Sequence, residues 1–205
     1  MTHGDNNGLV LPPRIAPIQA MVIPVAQHKP GVIEDGEELM TRQPAAGISA
    51  KMDASEQSMG WKADEYEMKG VPLRVEIGPK DMEKGQCCIC RRDNREKVFV
   101  PLAELEATVA RLLDEVHDSL YARALANREN NTKVCQTLPE VKEFMETNGG
   151  FAKTMWCCDL DCELQMKEVA GVTSRCMPLE QEAVGETCVC CGKPANKMIY
   201  WGVAY

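Results

Sequence analysis

The side chains most able to do chemistry in this sequence are its 11 cysteines. In the last third of the chain, Cys157 and Cys162 are separated by four residues, and Cys188 and Cys191 by two. Two such pairs, with room for a helix and a strand between them, can supply four thiolates to one tetrahedral Zn²⁺ ion. Because four thiolates leave no position open for water, the predicted role of this metal is structural rather than catalytic.

Each pair has a further cysteine beside it, Cys158 in the first and Cys190 in the second. Gly192 follows Cys191 and tolerates the positive φ that a metal-binding turn needs after its second ligand, which favours Cys191 over Cys190. Backbone reasoning of this kind does not decide between Cys157 and Cys158. The alternative is that these thiols are reduced and buried without a metal.

A third cluster, QCCIC, occupies residues 86–90. A strand whose small thiols pack on both faces is the favoured interpretation of Cys87, Cys88 and Cys90. The alternative is a second metal site, which would need Cys87, Cys90 and two further ligands, and the only cysteines outside the clusters are Cys135 and Cys176.

Catalytic signals are weak in this sequence. The three histidines, His3, His28 and His117, have no evident nucleophilic partner. No phosphate-binding loop, dinucleotide-binding fingerprint or nucleophile elbow occurs. The formal net charge of −8 argues against indiscriminate nucleic-acid coating but permits a local basic patch.

Such a patch surrounds a predicted hairpin and has aromatic residues shortly before it. Cationic groups with nearby rings suit a single-stranded RNA loop, whose bases can stack on aromatic side chains. The alternative is a solvated hairpin with cross-strand ion pairs. The residues concerned are Lys84, Arg91, Arg92, Arg95, Lys97, Trp61 and Tyr66.

The longest apolar run, AMVIPVA at 20–26, is far shorter than the roughly 20 residues that cross a bilayer. The first residues, MTHGDNNG, show no secretory leader. These features predict a cytoplasmic chain without a membrane partner, and the odd number of cysteines also fits reduced thiols.

Periodicity predicts an α/β domain followed by a smaller α+β unit. In the first, strands are expected at 20–26, 49–53 and 71–79 and in a hairpin around Asn94 and Arg95; helices are expected at 34–43 and 102–128, a loop at 54–62 and a linker at 126–133. In the second, a helix capped at Thr137 and a helix closed by Gly171 alternate with strands at 151–156, 173–178 and 197–205.

Several long stretches together resemble the prolyl-tRNA synthetase family of the archaeal/eukaryotic-like type. They are HGDNNGLVLPPRIAPIQ, GWKADEYEMKGVPLRVEIGPKD, RRDNREKVFV, WCCDLDCE and GETCVCCGKPANKMIYWGVAY, in order along all 205 residues. Small departures from the family pattern are Met59, Ala63 and Asp64.

The resemblance implies three segments: a connector at 1–18 from a class II catalytic domain, an anticodon-binding domain at 19–128 and a C-terminal zinc-binding domain at 129–205. It also implies that Cys157, Cys162, Cys188 and Cys191 are the zinc ligands. The terminal Tyr205 takes the place of a family tyrosine that packs toward the catalytic domain.

For the anticodon of tRNA(Pro), the resemblance points to the strand and loop RVEIGPKD. Arg74, Glu76, Lys80 and Asp81 are the expected contacts there, with Arg91 and Arg92 as phosphate anchors. Paired hydrogen bonds from Arg and Glu can identify base edges, whereas phosphate contacts only position the RNA.

The class II motifs that bind ATP, Mg²⁺ and proline lie mostly before the HGD segment in this family. The implied activity, ATP-dependent attachment of proline to tRNA by a homodimer, is therefore expected of the longer enzyme and not of these 205 residues alone. The alternative is a free-standing tRNA-binding accessory or regulatory protein.

Overall fold

The computed structural model describes residues 2–204, which form two compact units, one ending at Ala124 and the other beginning at Leu125. Each unit has its own sheet and its own hydrophobic core. The predicted fold class, an α/β domain with a mixed sheet followed by a smaller α+β unit, is confirmed.

A five-stranded mixed sheet in the order β2-β1-β3-β4-β5 forms the centre of the first unit. Strand β1 lies parallel to β2 and β3, while the β3–β4 and β4–β5 pairs are antiparallel. The strands are β1 (Ala20–Pro24), β2 (Ala50–Met52), β3 (Leu73–Ile77), β4 (Gln86–Arg91) and β5 (Lys97–Pro101). The helices are α1 (Val32–Ala45), α2 (Met59–Met68), α3 (Pro79–Glu83) and α4 (Leu105–Asn130), the last of which crosses the unit boundary.

Alternation of side chains along the strands gives this sheet two different faces. Val22 and Ile89 are fully buried on the face that shares a core with α1 and α4. On the opposite face, Met21 and Ile23 of β1 pack with Tyr66 of α2. The first strand is thus buried on both sides, as its continuous apolar sequence predicted.

Two sequence expectations in and after this unit were wrong. Residues 54–62, expected as a loop, include the start of α2, where the Ser58 hydroxyl accepts a hydrogen bond of 3.2 Å from the Trp61 amide. The helix was missed because it buries Lys62 instead of an apolar stripe. Residues 126–133, expected as a linker, continue α4 to Asn130 and then form strand β6 (Thr132–Val134). Their polar composition suits a solvent-facing helix end equally well.

The segment before β1 packs against the end of α2. The Leu9 amide donates to the Met68 carbonyl at 3.0 Å, and Val10 is buried. Gly8 has a φ of +127°, and a Cβ there would lie 2.5 Å from the Met68 Cα. The segment is therefore part of the first unit, and its role as a connector to a further domain stays a prediction.

The second unit contains a four-stranded sheet in the order β6-β7-β9-β8. Its other elements are α5 (Leu138–Thr147), β7 (Phe151–Trp156), α6 (Leu160–Ala170), β8 (Val172–Cys176) and β9 (Lys197–Val203). Trp201 is fully buried and meets Trp156 edge to face at 5.9 Å between ring centroids. This core holds in place the end of β7 and the beginning of β9, the two strands that flank the cysteine pairs.

Within residues 2–204, no helix is both long and apolar enough to cross a membrane.

Candidate metal centre and nucleic-acid interface

The structure brings together the four cysteines predicted as zinc ligands. Their Sγ atoms all lie within 4.8 Å of one another. The Sγ atom of Cys157 is 3.6 Å from that of Cys162 and 3.8 Å from that of Cys191. Four sulfurs around one zinc, each with a bond of 2.3 Å, would be about 3.8 Å apart. The two distances from Cys157 match this spacing, and the four sulfur atoms are close enough together to hold one ion.

Different local structures place the two cysteine pairs. Cys157 follows β7 directly, and Cys162 occupies the first turn of α6, whose N-terminus is capped by the Asp159 carboxylate accepting from the Asp161 amide at 3.0 Å. Cys188 and Cys191 lie in a tight turn closed by a hydrogen bond from the Gly192 amide to the Cys188 carbonyl. The strand, the capped helix and the closed turn therefore fix the backbone positions of the four cysteines.

The neighbouring cysteines point elsewhere. Cys158 is exposed and adopts a φ of 64°, so that the backbone turns immediately after Cys157. The Cys190 thiol donates to the Gln165 side chain at 3.1 Å. Gly192 has the positive φ, 70°, that its position after Cys191 predicted. Spacing left open the choice between Cys157 and Cys158; in the structure it is the Cys157 side chain that joins the group of four sulfurs.

The electrostatics of the cluster favour a cation. Burial raises the pKa of the Cys188 thiol, but hydrogen bonds from the backbone amides of Cys191, Cys190 and Cys157 outweigh burial and lower the pKa to about 7. Burial and the neighbouring sulfur atoms raise the pKa of Cys162. Four thiolates cannot ionise together in this space unless a positive ion compensates their charge. The donor set of four sulfurs is the one typical of structural zinc.

The QCCIC cluster shows no metal-binding arrangement. Among the described residues, the group formed by the C-terminal cysteines is the one close enough to hold an ion. Cys87 lies in the core of the first unit, whereas Cys88 and Cys90 are buried on the other face of β4. Burial is the first cause that raises the pKa of all three thiols. They are therefore packing residues, as the favoured interpretation of the sequence held.

The second candidate site is the face of β3, β4 and β5 opposite the core. Register places Arg74, Cys90 and Lys97 in one row across the three strands, and Glu76, Cys88 and Phe99 in the next. The Glu76 carboxylate accepts from Arg74 at 3.0 Å and from Lys97 at 3.3 Å. A carboxylate held between two cations is an ordered hydrogen-bond acceptor with its charge compensated.

Lys80 and Asp81 lie where β3 turns into α3. The Lys80 side chain is exposed, while the Asp81 carboxylate accepts from the Gly78 amide at 3.2 Å and caps the helix. The RVEIGPKD stretch thus places Arg74 and Glu76 on the sheet face and Lys80 at its edge.

Arg91 and Arg92 are placed differently from what free phosphate anchors require. The Arg91 guanidinium bonds to the Asp93 carboxylate and the Glu115 carboxylate at 2.9 and 3.1 Å. The Arg92 guanidinium holds the Asp5 carboxylate at 2.7 Å and donates to the Glu67 carbonyl. Both side chains are buried, so a role in binding phosphate stays a prediction and would require these ion pairs to exchange.

Sequence reasoning did not single out Phe99, a residue that is 62% exposed on this face. Alternation along β5 would have placed it opposite the core-facing Val98 and Val100, which is the signal that was available. Tyr205, the remaining predicted residue, lies outside the described residues.

Comparisons with known proteins match a part of each unit to a described domain family. A family model described as "Anticodon binding domain" matches residues 19–112, and one described as "Prolyl-tRNA synthetase, C-terminal" matches residues 138–205. A proline–tRNA ligase of Clostridium novyi is 53% identical over 206 residues, and one of Clostridium botulinum (strain Langeland) is 55% identical over 205.

The chain belongs to the prolyl-tRNA synthetase family. Both relatives are matched along 100% of the chain, but the chain covers only 43% of each of them. It corresponds to the anticodon-binding and C-terminal domains of the prolyl-tRNA synthetases. The four clustered cysteines lie within the C-terminal domain of the family, and β3, β4 and β5 within its anticodon-binding domain.

Proposed function

We propose that the first unit binds the anticodon of tRNA(Pro) within an enzyme that attaches proline to that tRNA with the use of ATP and Mg²⁺. The observation that carries the proposal is the ordered Arg74–Glu76–Lys97 group on the sheet face, in which Lys97 is exposed while Arg74 and Glu76 are largely buried, inside the segment matched as an anticodon-binding domain. Its fixed donors and acceptor suit the edges of unpaired bases, which single-stranded RNA exposes. Lys80 and Asp81 border this face.

We also propose that Cys157, Cys162, Cys188 and Cys191 hold a structural Zn²⁺ ion. Sulfur spacing and ligand chemistry support zinc over harder metals such as Mg²⁺, which prefers oxygen ligands. Bound there, the ion ties the end of β7 and the start of α6 to the turn before β9.

The remaining parts of the proposal concern the longer protein. We infer a class II catalytic domain as the partner of these two units, a homodimer as the assembled enzyme and the cytoplasm as its location. The names of the relatives, proline–tRNA ligases, support the activity.

The test of anticodon binding compares RNA stem–loops. The chain should bind an anticodon stem–loop of tRNA(Pro) more tightly than the same stem–loop with a different anticodon. Arg74→Ala should remove most of that preference, because it takes away a donor and frees Glu76. Arg111→Ala is the matched control, since Arg111 is an exposed cation of α4 that pairs with Glu115. Equal weakening of both RNAs by Arg74→Ala would contradict base recognition.

A further inference from the structure

Phe99 is a large aromatic side chain that faces solvent on a strand whose neighbouring residues are buried or charged. Phe99 is 62% exposed, while Val100, the next residue, is 3% exposed in the core. Exposure of a ring on a structured strand, rather than on a loop tip, means that the backbone holds its position.

The surroundings of Phe99 are polar and partly cationic. Across the sheet its row leads through Cys88 to Glu76, two strands and about 10 Å away by strand spacing. Lys97, on the same face of β5, extends its amine to Glu76. The short side chain of Cys88, on β4, lies between Phe99 and Glu76, so the Phe99 ring and the Glu76 carboxylate are on either side of β4.

We propose that Phe99 is a stacking platform for one unpaired base of the bound RNA, on the face of β5 that also carries Lys97. The inference rests on the proposed anticodon function. A flat ring provides stacking energy for any base, so this contact adds affinity without selecting among the bases.

RNA is a better occupant of this face than another protein surface. Lys97, on the same face of β5 and exposed, adds positive charge near the ring, which favours a phosphate-bearing ligand. Strands β3 to β5 also lie inside the matched anticodon-binding domain.

The test measures the affinity of the chain for an anticodon stem–loop of tRNA(Pro) in four proteins: wild type, Phe99→Ala, Phe99→Tyr and Tyr121→Ala. Tyr121, on α4 and 66% exposed, is the control for loss of an exposed ring. We expect Phe99→Ala to weaken binding about 5- to 150-fold. Phe99→Tyr should keep most of the affinity, and Tyr121→Ala all of it. The slope of affinity against salt should be unchanged in Phe99→Ala, because no phosphate contact is lost.

A second measurement replaces each loop nucleotide in turn by an abasic one. If Phe99 stacks on a base, one abasic position should lower the affinity of the wild type and leave Phe99→Ala almost unaffected. Wild-type affinity in Phe99→Ala, or additive losses at every abasic position, would overturn the stacking proposal alone. Failure of the wild type to bind the stem–loop would overturn the proposed function and, with it, the stacking proposal.

Discussion

All three nitrogens of the Arg92 guanidinium donate hydrogen bonds within the protein, which limits its ability to bind a phosphate group. Two of its nitrogens hold the Asp5 carboxylate at 2.7 and 2.8 Å, and a third donates to the Glu67 carbonyl at 2.9 Å. Paired bonds of this geometry are among the stronger polar interactions. A phosphate group would have to displace Asp5 to reach it. The first role of Arg92 is therefore to bind the segment before β1, called here the leading segment, through Asp5.

This ion pair makes the stability of the first unit depend on pH. The Arg92 side chain holds the pKa of Asp5 well below its usual range. A carboxyl group whose pKa is lowered by folding stabilises the protein above its unfolded pKa, about 3.9, and loses that effect as the pH falls further. Asp5→Asn should lower the melting temperature at pH 7, by an amount that shrinks below about pH 4. Asp118→Asn, an exposed acid of α4, is the control. A difference that stays constant with pH would refute the role of the ion pair.

At the scale of elements, helices and strands with a regular pattern of apolar residues were predictable from the sequence, and those without such a pattern were not. Strand β1, helix α4 and the hairpin of β4 and β5 followed from apolar runs and periodicity. Helix α2 did not, because its burial rests on Lys62, whose amine donates to the Asp53 carbonyl at 2.9 Å. The approach of Cys157, Cys162, Cys188 and Cys191 to one another was predictable because their spacing suits a single tetrahedral metal ion. The pairing of Arg92 with Asp5 and of Arg91 with Glu115 was not, since these partners are distant in sequence.

The N-terminus of α2 offers a direct test of the element that sequence reasoning missed. Ser58→Ala removes the hydroxyl that accepts from the Trp61 amide, and should lower the free energy of unfolding by about 1 kcal/mol. Ser58→Asp should retain most of it, because a carboxylate caps equally well. Urea denaturation measures both. Equal destabilisation by the two substitutions would argue against the cap.

At the scale of the whole molecule, a metal in the second unit would make one half of the protein sensitive to chelators. Cys191→Ser should abolish binding of one zinc ion per chain and lower the melting temperature of the second unit, whose ligands come from three separate elements. Cys158→Ser is the matched control and should keep the metal, because its exposed side chain is not part of the cluster. Elemental analysis decides, and a metal-free wild type that melts normally would contradict zinc binding.

The 205 residues span less than half the length of the proline–tRNA ligases that they match, and this bears on whether the chain alone can activate proline. We expect no proline-dependent exchange of pyrophosphate into ATP by this chain alone, even where it binds RNA. The assay uses labelled pyrophosphate with the purified chain, and a full-length relative serves as the positive control. Exchange by the chain itself would contradict the assignment of catalysis to other parts of the enzyme.

Gly8 lies so close to the backbone of Met68 that only a residue without a side chain fits there. The leading segment is consequently clamped twice, by this contact and by the grip of Arg92 on Asp5 three residues earlier. A force applied to the chain before Asp5 would act first on Arg92, in the turn after β4, through the Asp5–Arg92 ion pair, and only then on β1. Mechanical strain at this end would therefore act next to the sheet face that we assign to RNA.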